Sequence, residues 1–170
     1  MTGTFFYFAF GSNLLKERLL INNKTAIFKT VAKLENYCLK FAHKSITWCG
    51  HAATIVESKH DVVWGVVYEM NTSNMDSLDK QEGVDQNIYR PIEVRVKSMN
   101  DVTYDCRTYQ LLGRDFGDPS PQYKDIIVRG ALASGIPNDY IEFLKSIPDN
   151  GNKKKVPIYD EILSLLENSK

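Results

Sequence analysis

Two short stretches carry residue types that can do chemistry. In "LDKQEGV" Glu82 stands directly before Gly83, at the end of a helix-like segment, and in "YFAFGSNLLKER" Gly11-Ser12-Asn13 separates an apolar run from a second helix-like segment. A carboxylate in the last turn of a helix meets the negative end of the helix dipole, and that field favours its proton. A carboxylic acid with raised proton affinity is what general acid–base chemistry needs near neutral pH. At the other stretch, Gly11 lets the backbone come close to a ligand, and the free N–H groups of the following helix start favour negative charge. One stretch offers a proton carrier and the other an anion cradle.

Other chemistries find less support. Ser12 at a strand-to-helix turn invites comparison with the nucleophile elbow of α/β-hydrolases, but that elbow needs glycines two positions either side, where this chain has Phe10 and Leu14. Gly11 stands alone, so neither a Walker nor a GxGxxG pattern is present. His43, His51 and His60 have no metal-ligand spacing with one another or with a cysteine, and no metal is expected. Cys38, Cys49 and Cys106 are odd in number, lack CxxC spacing, and read as reduced core thiols. With 21 basic and 21 acidic residues the formal charge is zero, which gives no electrostatic case for nucleic acid or an acidic membrane surface and points to a small or neutral partner. The apolar start "FFYFAF" is too short for a membrane span and has no basic lead-in, so a cytoplasmic protein is expected. The lysines of Asp149–Lys155 read as a solvated turn.

The elements that must position these residues follow from periodicity and punctuation. Phe5–Phe10 reads as a fully buried strand, and Leu14–Ile21 as a short helix started by Ser12 or Asn13. "AIFKTVAKL" and "YCLKF" alternate as half-buried strands, "HKSITWCGH" reads as a loop, and "AATIVES" and "VVWGVVYEM" as two strands joined by a polar turn at Lys59–Asp61. Ser73 is the expected cap of the helix that Gly83 ends. "YRPIEVRV" and "VTYDCRTYQLL" add strands. A helix follows with Ser120 as cap, Pro121 in its first turn and Gly135 as its stop, and on it Tyr123, Ile127, Gly130 and Ala131 share a face. Two more amphipathic helices close the chain, with Tyr140, Phe143 and Leu144 on one and Ile158, Ile162, Leu165 and Leu166 on the other. Six or seven strands early and helices mostly late define an α+β fold with a curled or closed sheet, and 170 residues suffice for a single domain, residues 1–170.

"YFAFGSNLLKER", "WGVVYEM", "LDKQEGV" followed by Tyr89, and "SPQYK" leading into a helix resemble, in order and along nearly the whole chain, the γ-glutamylcyclotransferases. The resemblance implies a mixed β-barrel flanked by helices, a homodimer without metal or organic cofactor, and conversion of γ-glutamyl-amino acids to 5-oxoproline and a free amino acid. It places the general acid/base on Glu82 and the substrate loop on Tyr7, Phe8, Ala9, Phe10, Gly11 and Ser12, with Asn13 and Leu14 adjoining. Tyr89, Tyr123 and Tyr140 match tyrosines of the family's pocket. The family usually has tyrosine where this chain has Phe10, so one hydroxyl is missing. The nearest alternatives are a cyclotransferase selective for γ-glutamylamines or glutathione, and a protein that binds γ-glutamyl ligands without turnover.

Overall fold

The computed structural model describes residues 3–169. Its centre is a closed five-stranded barrel in the order β1-β3-β2-β4-β5. The strands are β1 (Thr4–Ala9), β2 (Ile27–Ser45), β3 (Gly50–Asn71), β4 (Tyr89–Ser98) and β5 (Thr103–Leu111). The sheet is mixed: β1 lies antiparallel to β3, and closure comes from a parallel pairing of β1 with β5 at Tyr7 and Arg107. Helix α1 (Lys16–Leu20) follows β1, α2 (Met75–Gln81) follows β3, and α3 (Pro121–Ser134), α4 (Asn138–Ser146) and α5 (Pro157–Asn168) complete the chain. Val66, Val67 and Tyr68 are consecutive in β3 and all fully buried. Neighbouring strand residues point to opposite faces, so here the barrel interior covers one face and other parts of the fold cover the second. Among the described residues no helix is long and apolar enough to cross a membrane.

The expected turn at Lys59–Asp61 does not reverse the chain. Gly50–Asn71 is one strand of 22 residues that takes in the end of the expected loop "HKSITWCGH", and its partner β2 is likewise continuous over 19, taking in "IFKTVAKL", "YCLKF" and the loop's beginning. The reversal is at Ile46–Cys49, where the Trp48 amide donates to Ser45 Oγ at 3.2 Å. At the polar stretch the register jumps from Glu35 opposite Val62 to Tyr37 opposite Glu57, leaving Ser58–Asp61 to bulge against Asn36. Asn36 and His60 take left-handed conformations there, with φ of 65° and 72°, and the His60 amide donates to Asn36 Oδ1 at 3.1 Å. A bulge of this size bends the ladder without ending it.

Two helix starts also differ from expectation. The α2 cap is not Ser73, which lies in the 3-10 turn Thr72–Asn74, and the helix begins at Met75. Neither Ser12 nor Asn13 caps α1: Ser12–Leu14 is a separate 3-10 turn, and α1 starts only at Lys16. Asn13 is buried, and its side chain is used in tertiary contacts instead. At α3 the expectation holds, since Ser120 Oγ accepts from the Tyr123 amide at 3.1 Å and Gly135 ends the helix at φ 82°.

Candidate active site

The turn Ser12–Leu14 is held from two sides. Tyr68 in β3 donates from its hydroxyl to the carbonyls of Asn13 (3.0 Å) and Leu14 (3.2 Å), and Ser134 at the end of α3 donates to the Leu14 carbonyl at 3.1 Å. Within the turn the Leu14 amide donates to Gly11 O at 3.0 Å and the Leu15 amide to Ser12 O at 3.2 Å. The amides of Ser12 and Asn13 precede these bonds, as the first donors of any helical turn do, and are left to other partners. Gly11 has a negative φ of −114°, so its requirement is space rather than handedness. A Cβ there would lie 3.2 Å from Ala53 Cβ and 3.3 Å from the Tyr123 hydroxyl oxygen.

Beyond this turn opens a cavity lined by Tyr7, Phe10, Gly11, Ser12 and Asn13, by Glu82, Tyr89 and Tyr123, and by Arg18, Ser45, Thr47, Trp48, Ala52, Ala53, Gln81, Thr108 and Tyr109. Eight of the twelve residues expected at the site therefore meet in one place. Phe8, Ala9 and Leu14 do not line it, being fully buried in the core. Tyr140 is also elsewhere, packed on α4 against Phe143 and beside the Trp64 backbone. Phe10 lines the cavity without a hydroxyl, and the tyrosine hydroxyls around it come from Tyr7, Tyr89, Tyr109 and Tyr123. Tyr123 Oη accepts from the Ala53 amide at 3.0 Å, which leaves its own proton free to donate, whereas Tyr89 donates to the Ala53 carbonyl at 2.7 Å. Both tyrosines thereby fix the bent arm of β3 against the site.

Glu82 is the C-cap of α2, its amide donating to Leu78 O at 3.1 Å, and Gly83 continues in the left-handed conformation at φ 72°. The residue is half-buried and faces the cavity. Among the described residues no side chain hydrogen-bonds or ion-pairs its carboxyl. Its pKa is raised from 4.5 to about 7, first by burial and secondarily by the negative charge of Asp79, against the opposing pull of Arg18. The direction expected from sequence is right, but the main cause is different: loss of water outweighs any helix field, and α2 is only seven residues long. Asp79, one turn earlier, is itself held by Arg107 at 2.9 and 3.0 Å and by the Tyr109 hydroxyl.

A chain of amides ties Glu82's helix to the turn. Asn13 Nδ2 donates to Tyr7 Oη (2.9 Å), Gln81 Nε2 to Asn13 Oδ1 (3.1 Å), Asn23 Nδ2 to Gln81 Oε1 (3.0 Å) and Ser77 Oγ to Asn23 Oδ1 (2.7 Å). Buried polar networks with both donor and acceptor satisfied at each member fix one arrangement of their elements. Gln81 holds the backbone next to Glu82, so the network sets where the carboxyl stands relative to Gly11 and Ser12.

Sequence reasoning missed Arg18, Trp48 and Gln81. Arg18 is 8% exposed, and its guanidinium lies over the Trp48 ring at 5.8 Å from the centroid. One signal was legible: Arg18 lies three residues from Leu15 and four from Leu14, on the stripe that helical spacing assigns to the core. A charge in an apolar stripe marks a site where something charged is met.

The Glu82 shift makes stability depend on pH with a definite sign. Between about pH 4.5 and 7 the folded protein keeps a proton that the unfolded chain releases, so this residue's contribution to stability falls as pH rises. Glu82→Gln, which does not titrate, is expected to gain on the wild type by about 1–3 kcal/mol between pH 5 and pH 8. Denaturant midpoints of both proteins at the two pH values check this. A constant difference would place the carboxyl in water.

A closed barrel that gathers an unpaired carboxyl, an unpaired guanidinium and several tyrosine hydroxyls around one small cavity is the build of an enzyme acting on a small polar molecule. The comparisons with known proteins agree. Residues 62–144 match the model of the AIG2-like family. The γ-glutamylcyclotransferases of Bos taurus and Homo sapiens are 48% and 46% identical to this chain over 157 residues, 90% of this chain and 84% of each relative. A solved structure of a γ-glutamyl cyclotransferase, 44% identical, superposes with a TM-score of 0.92 over 95% of this chain and 99% of that one. The chain belongs to the γ-glutamylcyclotransferase family.

Proposed function

We propose that this protein cyclises γ-glutamyl-amino acids to 5-oxoproline and releases the free amino acid, with Glu82 as the general acid/base. The observation that carries the reading is the Glu82 carboxyl, free of side-chain partners and with a pKa raised to about 7, facing the same cavity as the Gly11–Asn13 turn. Family membership supplies the reaction class, and the residue roles rest on this geometry.

In the reaction the substrate's α-amine attacks its own γ-carbonyl carbon. The new C–N bond closes the lactam, and the amide C–N bond to the leaving amino acid breaks. The cavity's contribution begins with holding the glutamyl chain folded, which makes the attack effectively unimolecular at well-placed geometry. An α-ammonium has an ordinary pKa near 8. A carboxylate of pKa about 7 accepts its proton with little uphill cost, and the resulting acid is strong enough to return the proton to the departing nitrogen. The attacking nitrogen loses two protons in all and the leaving nitrogen gains two. Glu82 carries one of them from the α-ammonium to the departing nitrogen, while the attacking nitrogen releases its second proton to solvent and the released amine takes its second from solvent. The free hydroxyl proton of Tyr123 and the amides of Ser12 and Asn13 are the donors placed to receive substrate carboxylate or the oxyanion of the tetrahedral intermediate.

The experiment is to supply γ-glutamyl-alanine, glutathione and γ-glutamyl-ε-lysine separately to the purified protein and measure 5-oxoproline. The expected result is turnover led by γ-glutamyl-alanine. A ranking led by glutathione or by the ε-lysine compound moves the protein to the neighbouring specificity, and binding of all three without 5-oxoproline makes it a binding protein. The reading also includes a homodimer in the cytosol, for which the three free cysteines suit a reducing compartment.

A further inference from the structure

Arg18 is a buried cation that the protein itself leaves unanswered. Its Nε is shut away from solvent with no hydrogen-bond partner, and among the described residues no acid pairs with its guanidinium. The guanidinium lies over the Trp48 ring and Arg18 also lines the cavity, so its planar fork of N–H donors is at hand for a ligand there. Burial lowers its proton affinity, and the nearby Glu82 partly offsets that. The two groups line the same cavity without forming an ion pair, so a molecule bound there can answer each with the opposite charge.

We propose that Arg18 receives the α-carboxylate of the leaving amino acid and is thereby the residue that selects γ-glutamyl-α-amino acids over γ-glutamylamines. The assignment rests on the cyclotransferase reading above and specifies which half of the substrate lies where. Glu82 lines the cavity with the barrel residues Tyr7, Thr108 and Tyr109, and a substrate whose α-ammonium gives its proton to Glu82 is anchored at that carboxyl by its glutamyl half. Trp48 and Thr47, from the hairpin turn Ile46–Cys49, also line the cavity, and Thr47 is exposed, so this part of the lining reaches the surface. The leaving half, whose side chain varies from substrate to substrate, is assigned to that side, where Arg18 lies over the Trp48 ring. A guanidinium edge and a carboxylate form two parallel charge-assisted hydrogen bonds, a geometry that an amine without a carboxylate cannot answer. A buried guanidinium left unpaired in the complex penalises such a substrate further.

The test uses γ-glutamyl-alanine and γ-glutamyl-ethylamide, which differ in the leaving-group carboxylate and share the glutamyl half and the reacting amide. For the wild type kcat/KM is expected to favour γ-glutamyl-alanine by about 10²-fold. In Arg18→Gln that ratio is expected to collapse toward one, because the alanine substrate loses its partner and the ethylamide never had it. Arg18→Lys, which keeps the charge without the fork, is expected to fall between the two. A wild-type ratio near one overturns the assignment even where Arg18→Gln does not fold. Equal losses on both substrates in a folded Arg18→Gln also overturn it, since they place the guanidinium on the glutamyl half. A wild type that makes no 5-oxoproline from either substrate rejects the cyclotransferase reading instead.

Discussion

Replacing Glu82 with glutamine is expected to lower turnover of γ-glutamyl-alanine by about 10²- to 10⁴-fold, the scale of a lost general acid/base. The amide keeps the size and reach of the side chain but cannot accept a proton from the α-ammonium or return one to the leaving nitrogen. Binding is expected to survive, because the turn at Gly11, the Tyr123 hydroxyl and Arg18 do not depend on that proton. A non-cyclising analogue should therefore bind the variant with affinity within a few-fold of the wild type's. The pH profile gives a second check: kcat/KM of the wild type is expected to lose activity as pH falls through about 7, where Glu82 becomes protonated and can no longer act as base. Near-normal turnover in the variant would remove Glu82 from the mechanism. Lost turnover together with lost analogue binding would make its role one of binding.

The second large effect is expected at a residue that carries no titrating proton, Gly130. Helix α3 approaches the turn so closely there that a Cβ on Gly130 would stand 2.5 Å from the Leu15 amide nitrogen and 2.6 Å from the Leu14 carbonyl carbon. These are backbone atoms of the segment held by Tyr68 and Ser134, and they cannot swing aside as a side-chain end can. Gly130→Val must push α3 and the turn apart, at an overpacking cost of about 1–3 kcal/mol. For a chain of this size that lowers the thermal midpoint by roughly 2–12 °C. A displacement of the turn by about 1 Å also disturbs the substrate's fit, and a loss on the order of 10²-fold in kcat/KM is expected. Leu132→Val, on the exposed side of the same helix, serves as control and is expected to change neither quantity appreciably. If Gly130→Val matches the wild type in both, the close approach does not constrain the site.

How legible the site was depended on how local each feature is. Glu82 before Gly83 and the lone Gly11 were readable because helix ends and tight turns impose their requirements on neighbouring residues. The Ser120 cap and the Gly135 stop of α3 were readable for the same reason. Asn13 failed as a cap because its side chain bonds Tyr7 and Gln81, and Ser73 because it lies inside the 3-10 turn Thr72–Asn74, which leaves α2 to start at Met75. The polar stretch at Lys59–Asp61 failed for a related reason. A hairpin turn and a bulge both use polar residues and left-handed conformations, and only the partner strand decides between them. Tyr140 matched the pattern of a pocket tyrosine, yet α4 carries it to Phe143 instead.

The sequence by itself determined the kinds of groups and their local conformations: an acid at a helix end, a glycine turn after a buried strand, and a mixture of strands and helices that excludes a regular alternating fold. Tertiary structure alone decided that the acid and the turn share a cavity, that Gln81 and Asn13 hold them in register, and that the bent hairpin brings Trp48 and Ala53 over them. It also decided the strength of the chemistry. Arg18 on its apolar stripe meets the Trp48 ring only in the folded chain, and Glu82 owes its raised proton affinity chiefly to the removal of water. Desolvation is a property of everything packed around a group, contributed by residues distant in the chain, so no local pattern encodes it.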